Sequence, residues 1–451
     1  MRDIIVTAIV FTGLVFVLNN PYIGVLLWSW IGYMNPHRLG WGFAYNFPFA
    51  LLIALVTLIS LVISRKKLEF FWHPAVGWLI ILNIWFVITT LFSLQPDESW
   101  MEFIKVIKIQ FFIFITLWVM HDRNKINGLV WVIAISIGFY GFKGGIFTLM
   151  GGGSSHVLGP EDSFISGNTE IGLALVMVLP LIWYLYLHTH KKWIRSGLLL
   201  SIPLVAIAIL GTQSRGAFLA IAAIGVFLWL KSRKKLVPLL VILLMIPFVF
   251  MFMPQSWHDR MSTINNYEED ASAMGRINAW ILAIKMANAR PLIGGGFRSF
   301  HEDNYEYYAP GLIDRSGRIH YPDVHSVYFE MLGEQGYVGL FVFLMLGWIA
   351  WRTASKIMKL TRDSEKHKWA YDLASMIQVG YIGYAVGGAF LGLSYFDLPY
   401  HFLAILVLTL RIVEQSLATN PQSVIVPKHS HLTPPSSGGR VFDDIKTTNN
   451  N

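Results

Sequence analysis

The sequence predicts an all-α, polytopic membrane protein of about twelve transmembrane helices with one large outward-facing loop. Three observations support that class. Only 14% of the 451 residues are charged and 55% are hydrophobic, against about 25% charged in soluble domains, and mean hydropathy is +0.53. Apolar runs of spanning length recur along the chain. These runs are continuously apolar, whereas a membrane barrel alternates, so they read as helices. The chain has no cysteine, which excludes disulfides, thiol catalysis, thiolate metal sites and iron–sulfur clusters.

The elements follow in order. Residues 4–18 and 21–34 are two apolar runs split at Asn19-Asn20-Pro21. Each is about 22 Å long as a helix, short of the roughly 30 Å hydrocarbon core. With Arg2 beside the first run, they are read as one broken crossing with both chain ends inside. No small-residue cleavage site follows, so the run is not read as a signal peptide. Further spans are expected at 48–64, 75–94, 103–120, 128–148, 171–188, 196–211, 217–230, 236–253, 337–354, 375–393 and 402–415. The clusters Arg65–Lys67, Arg123/Lys125, Lys191–Arg195, Lys231–Lys235 and Arg352–Lys368 hold 18 of the 35 basic residues. Simple alternation of spans puts them all on one side, which marks the cytoplasm.

Five segments then face outward: 35–47, 95–101, 149–170, 254–336 and 394–401. The long one has 83 residues with 11 acidic and 7 basic side chains and a helical stretch at 275–289, too long for a mere connector. The expected organisation is one integral membrane domain over 1–415, with its large periplasmic loop at 254–336, and a disordered cytoplasmic tail over 416–451. No internal repeat is visible.

Several residues are candidates for chemistry. Arg215 stands in Thr212-Gln213-Ser214-Arg215-Gly216 between two apolar runs, at their outer ends. A snorkelling arginine needs no polar company, yet Gln213 and Ser214 accompany this one. Arg276 lies in Gly275-Arg276-Ile277-Asn278-Ala279-Trp280, where helical spacing puts Arg276, Trp280 and Ala283 on one face. An amphipathic interfacial helix is the plainer reading. Downstream come Arg290-Pro291-Leu292-Ile293-Gly294-Gly295-Gly296 and Arg298. These glycines permit close backbone approach but form no phosphate-binding P-loop, since no Gly-Lys-Ser/Thr follows.

His325, in Asp323-Val324-His325-Ser326-Val327-Tyr328-Phe329, titrates near neutrality and suits a general base. Its alternatives are capping the next helix and a metal frame with His320 and Asp323, although no His-Glu-x-x-His is present. Lys105, Lys108 and Lys143 intrude on the outer halves of spans, either snorkelling or serving a ligand. Cations converging at one membrane depth suit a lipid headgroup or pyrophosphate, whose oxygens match guanidinium groups. Tyr305, Tyr307, Tyr308, Tyr321 and Tyr328 either stack on sugar rings or anchor at the interface.

Taken together, Ser214-Arg215-Gly216, Gly275-Arg276 with Trp280, Pro291-Leu292-x-Gly294-x-Gly296, and His325-Ser326-x-Tyr328-Phe329 with Leu332, Glu334 and Gly336 resemble the O-antigen ligase/polymerase superfamily of bacterial envelope glycosyltransferases. Gly167-Asn168 leading to Leu179-Pro180-Leu181 matches the segment before the middle spans, and the likeness covers roughly residues 165–410. Met1-Arg2-Asp3 and Asn35-Pro36-His37-Arg38 look like the exosortase-associated O-glycosylation ligase branch. The family histidine is usually followed by Asn; here Ser326 stands in its place, which bears on acceptor-side hydrogen bonding.

The resemblance implies a GT-C-type fold in the bacterial inner membrane with its active site facing the periplasm. It implies transfer of a glycan from a polyprenyl (undecaprenyl) pyrophosphate carrier to an acceptor hydroxyl, without nucleotide sugar, cofactor or metal. Arg215 and Arg276 would hold the pyrophosphate and stabilise its charge on departure. His325 would take the proton of the incoming hydroxyl. Lys105, Lys108, Lys143, Arg290, Arg298, Tyr328 and Trp280 would bind substrate. The partners would be the lipid-linked donor, a glycolipid, glycan or protein acceptor, and membrane lipids, with no nucleic acid. A polysaccharide polymerase and a protein O-oligosaccharyltransferase share this chemistry and differ in acceptor. A lipid-linked glycan transporter is the reading from another class; against it stands the lack of repeated halves.

Overall fold

A computed structural model describes residues 1–63, 71–231, 236, 271–310 and 323–419. The described residues are helical, with no strand among them. The expected span at 236–253 beyond its first residue, the basic clusters at 65–67 and 233–235, His320 and Tyr321 lie outside the described residues. Contacts divide the chain into Met1–Val413 and Glu414–Asn451. Of the second unit only the last turns of a helix, up to Thr419, are described.

The helices are α1 (Arg2–Val17), α2 (Pro21–Met34), α3 (Phe49–Ile63), α4 (Pro74–Leu91), α5 (Pro96–Val119), α6 (Arg123–Met150), α7 (Asn168–His188), α8 (Lys192–Gly211) and α9 (Arg215–Lys231). After them come α10 (Ala271–Ala289), α11 (Glu302–Tyr308), α12 (Val327–Thr361), α13 (Lys368–Gly387) and α14 (Asp397–Thr419). Seven described helices are long and apolar enough to cross a membrane, and α3 is a shorter apolar one. Large apolar side chains such as Phe11, Leu55, Ile84, Ile135 and Trp348 stay exposed on these helices. An apolar exterior around an apolar core is what a lipid-embedded bundle requires. The axis of the bundle is α14, in which every residue from Asp397 to Arg411 is buried.

Residues 2–34 do not form one interrupted crossing. The Arg2 guanidinium donates to the Leu39 carbonyl at 3.0 Å, and the Asp3 carboxylate accepts from the Gly42 amide at 3.2 Å. The chain start therefore lies at the same end as residues 35–47. At the opposite end the Ser60 hydroxyl reaches the Val17 carbonyl. Helices α1 and α2 are thus an antiparallel hairpin. Pro21 at the first position of α2 starts a new helix because it lacks the N–H that continuation of α1 would use. Leu27 packs directly over Gly13, where a Cβ would come within 2.7 Å of it.

Close helix pairs are built on small residues, as in other membrane bundles. On α6, a Cβ at Gly145 would stand 2.2 Å from the Leu204 carbonyl of α8. The connections expected to share one side do gather at one end. Arg38 pairs with Asp162 at 3.0 Å, the Leu94 amide donates to Gly295 at 2.8 Å, and Gln213 donates to the Gly153 carbonyl at 2.8 Å.

Candidate active site

The segment Asp323–Ser326 runs into α12, and His325 adopts φ +40°. A left-handed conformation is uncommon for a residue with a side chain and persists only where its surroundings enforce it. The surroundings here are two anchors. The buried Val324 offers its carbonyl to the Trp280 indole at 2.9 Å, and Val327 packs against Gly388. Trp280 also stacks on Phe329 at 5.0 Å between centroids. The half-buried His325 is flanked by anchors to α10 and to Gly388, just past the end of α13.

Arg276 is one turn before Trp280 on α10, and Ala283 of the same face packs against Gly333 of α12. Arg215 is the first residue of α9. It is set there by a tight turn in which Gln213 takes φ +53° and the Ser214 hydroxyl caps the Ala217 amide at 3.2 Å. The positive end of the α9 dipole therefore coincides with this arginine. Gly216 packs against Phe390, and Gly388 of the same short turn packs against Val327. The α10 segment thus contacts residues 324–328 directly, and the start of α9 reaches them through the turn at Gly388–Phe390.

The glycine-rich loop does something other than face a ligand. Helix α12 breaks at Gly336 (φ +70°, ψ −173°), which frees carbonyls that an unbroken helix would consume. Gly333 and Glu334 carbonyls accept from Gly295 and Gly296 amides, each at 2.8 Å. The Gln335 carbonyl accepts from the Trp85 indole at 2.9 Å, and the Tyr337 amide donates to Pro291 at 2.9 Å. The loop is laced to the break, and its glycines allow that approach.

The remaining predicted residues separate. Arg290 donates to the Phe92 carbonyl. Arg298 donates from its amide to Glu334 at 2.8 Å and from its guanidinium to Glu102 at 3.0 and 3.2 Å. Desolvation pulls the Arg298 pKa down, but the charge of Glu102 and its hydrogen bond, with Glu334 and Asp323, outweigh it and hold it above the ordinary value. Lys105 pairs with Glu102 at 3.3 Å and lies 3.9 Å over the Phe164 ring. Lys108 is exposed on α5. Lys143 lines a different cavity, with Arg2 and Arg38. Tyr328 donates to the Ala385 carbonyl at 2.8 Å, which ties α12 to α13. Tyr305 is buried against Leu282 and Met286, so it offers no face to a sugar. Tyr307 is exposed.

Sequence reasoning missed an acidic cavity of about 590 Å³ bordered by Asp323, two residues from His325. Its carboxylates are Glu98, Glu102, Glu170, Asp323, Glu330 and Glu334, against the cations Lys105 and Arg298. Glu330 accepts from the Ser394 amide at 3.0 Å and hydroxyl at 2.6 Å, and Glu334 accepts from the Tyr395 hydroxyl at 2.6 Å. Burial, followed by the charges of Glu334 and Glu330, pushes the Tyr395 phenol well above its ordinary value, so it stays a donor. The available signal was the i, i+4 spacing of Glu330 and Glu334 in an otherwise apolar stretch. Such a cavity repels a pyrophosphate and suits a hydroxyl-rich neutral group.

Comparison with known proteins adds two findings. Residues 200–344 match the O-antigen ligase family, and residues 1–190 match a family of unknown function. No curated protein matches the chain. The first match contains Arg215, Arg276 and His325; the second carries no functional description and does not single out the exosortase-associated branch. Residues 200–344 therefore carry an O-antigen ligase family domain, whose members are membrane glycosyltransferase-like enzymes, and the match supports the likeness to the O-antigen ligase/polymerase superfamily.

Proposed function

We infer that this protein moves a glycan from a polyprenyl pyrophosphate carrier to an acceptor hydroxyl at the periplasmic face of the bacterial inner membrane. The supporting observation is that the Arg276 helix contacts residues 324–328 directly and the start of the Arg215 helix reaches them through the turn at Gly388–Phe390, beside the acidic cavity. Arg215, at the positive end of α9, and Arg276 hold the pyrophosphate and stabilise the charge that grows as it leaves. His325 takes the proton of the acceptor hydroxyl. The acceptor oxygen forms its bond to the anomeric carbon as the bond from that carbon to the pyrophosphate oxygen breaks. The electron pair departs with the lipid pyrophosphate. The acidic cavity holds sugar hydroxyls through Glu330, Glu334 and their neighbours. In this role the chain is an O-antigen ligase-like enzyme of the exosortase-associated branch, and transfer to a growing glycan or to a protein follows from the same steps.

The test is a reconstituted assay in proteoliposomes with labelled lipid-linked glycan and separate glycolipid, glycan and protein acceptors. Arg215→Ala, Arg276→Ala and His325→Ala are expected to abolish transfer while inserting normally. Wild-type transfer by all three would overturn the mechanism. Protein-only counter-flow of the donor without covalent product would favour transport instead.

A further inference from the structure

A second cavity, of about 400 Å³, lies against α1, the 35–47 connection and the end of α6. It shares no lining residue with the acidic cavity, and its charge is opposite. Arg2, Arg38 and Lys143 line it against the single carboxylate of Glu161. Arg38 is already neutralised by Asp162 at 3.0 Å and lies 4.4 Å over the Tyr45 ring. Arg2 spends one donor on the Leu39 carbonyl. Lys143 makes no hydrogen bond or ion pair among the described residues, although it stands two turns from the end of α6. With Arg38 paired to Asp162 and Glu161 on the lining, Lys143 is a cation left without an acidic partner among the described residues, and an anion would complete it.

We propose that this cavity binds the phosphate of an anionic membrane lipid, at a site separate from the glycan donor's. Three features favour a lipid over a free anion. The cations stand at the end of the bundle where α1 and α2 begin and finish, the depth of headgroups. The rim carries Trp41, which is 96% exposed, with Tyr45 and Phe147 beside it, the aromatic composition of a membrane interface. Lys143 reaches the cavity from a helix long and apolar enough to span, as a snorkelling cation does beside a lipid phosphate. The loop that supplies Gly159–Glu161 to this cavity supplies Ser163 and Phe164 to the acidic one, so the bound lipid sits next to the glycan cavity. The proposal stands on this cavity alone and does not depend on the transfer mechanism.

Native mass spectrometry of the purified full chain tests it, with phosphatidylglycerol, phosphatidylcholine or inorganic phosphate added in turn. Phosphatidylglycerol is expected to be retained over phosphatidylcholine. Lys143→Gln should weaken that retention about fivefold, the effect of one cation beside an anionic lipid. Lys143→Arg should keep it, and Lys192→Gln, at the opposite end of the bundle, should leave it unchanged. Equal retention of the two lipids, or full retention by Lys143→Gln, would overturn the proposal. Lysine-dependent binding of inorganic phosphate without lipid preference would overturn the lipid assignment in favour of a soluble anion.

Discussion

Replacing Gly336 with alanine should dismantle the seam between the glycine loop and α12. Its φ of +70° and ψ of −173° fall in a region reserved for glycine, and a side chain there costs about 1–3 kcal/mol. The new Cβ would stand 2.2 Å from the Leu292 carbonyl, so the loop must move away. Four hydrogen bonds depend on its place: Gly295 to Gly333, Gly296 to Glu334, Tyr337 to Pro291 and Trp85 to Gln335. At about 1 kcal/mol each, with some surviving relaxation, the total loss is about 4–6 kcal/mol. The control is Gly197→Ala on α8, where a Cβ meets nothing within 4 Å and alanine gains up to about 1 kcal/mol of helix propensity. Fluorescence-monitored thermal unfolding in detergent should show a large drop for Gly336→Ala and none for Gly197→Ala. Glycan transfer should fall with the first. Equal unfolding temperatures for the two variants would refute the reasoning.

Three further outcomes follow from the same geometry. Glu334→Ala strands the part-buried Arg298 amide and the buried Tyr395 hydroxyl, the latter costing about 1–3 kcal/mol, whereas Glu334→Gln keeps an acceptor; melting curves should rank wild type, Gln and then Ala. Burial, and then the charge of Arg38, hold His37 at about 4 against an ordinary 6.5. The unfolded chain therefore takes up this proton first, so stability is full above pH 6.5 and declines as pH falls toward 4. The unfolding temperature of His37→Gln should decline less over that window. Transfer activity should persist in a strong chelator, and its loss would revive a metal at His325.

Much of the bundle was legible because continuous apolar runs have no other stable place. Boundaries shifted where polar residues serve the site. The expected span at 337 begins as helix at Val327, since Glu330 and Glu334 interrupt its hydropathy while turning toward the acidic cavity. Helix α5 starts at Pro96 rather than 103, because Glu98, Glu102 and Lys105 lie on its first turns facing that cavity. The N-terminal pair was misjudged from its short runs and from Arg2 beside the first of them. The contacts of Arg2 and Asp3 with residues 39–42 turn it into a hairpin, and no local pattern announces them. Among site residues, the His325, Arg215 and Arg276 segments were readable as motifs. The sorting of the lysines was not, since Lys105 and Lys143 belong to cavities of opposite charge assembled from distant segments.

The most direct test of the proposed chemistry is single-turnover transfer by His325→Ala with saturating lipid-linked donor. A general base contributes about a hundredfold or more, so the rate should fall at least that far while donor binding stays unchanged; a rate within about threefold of wild type would contradict the account.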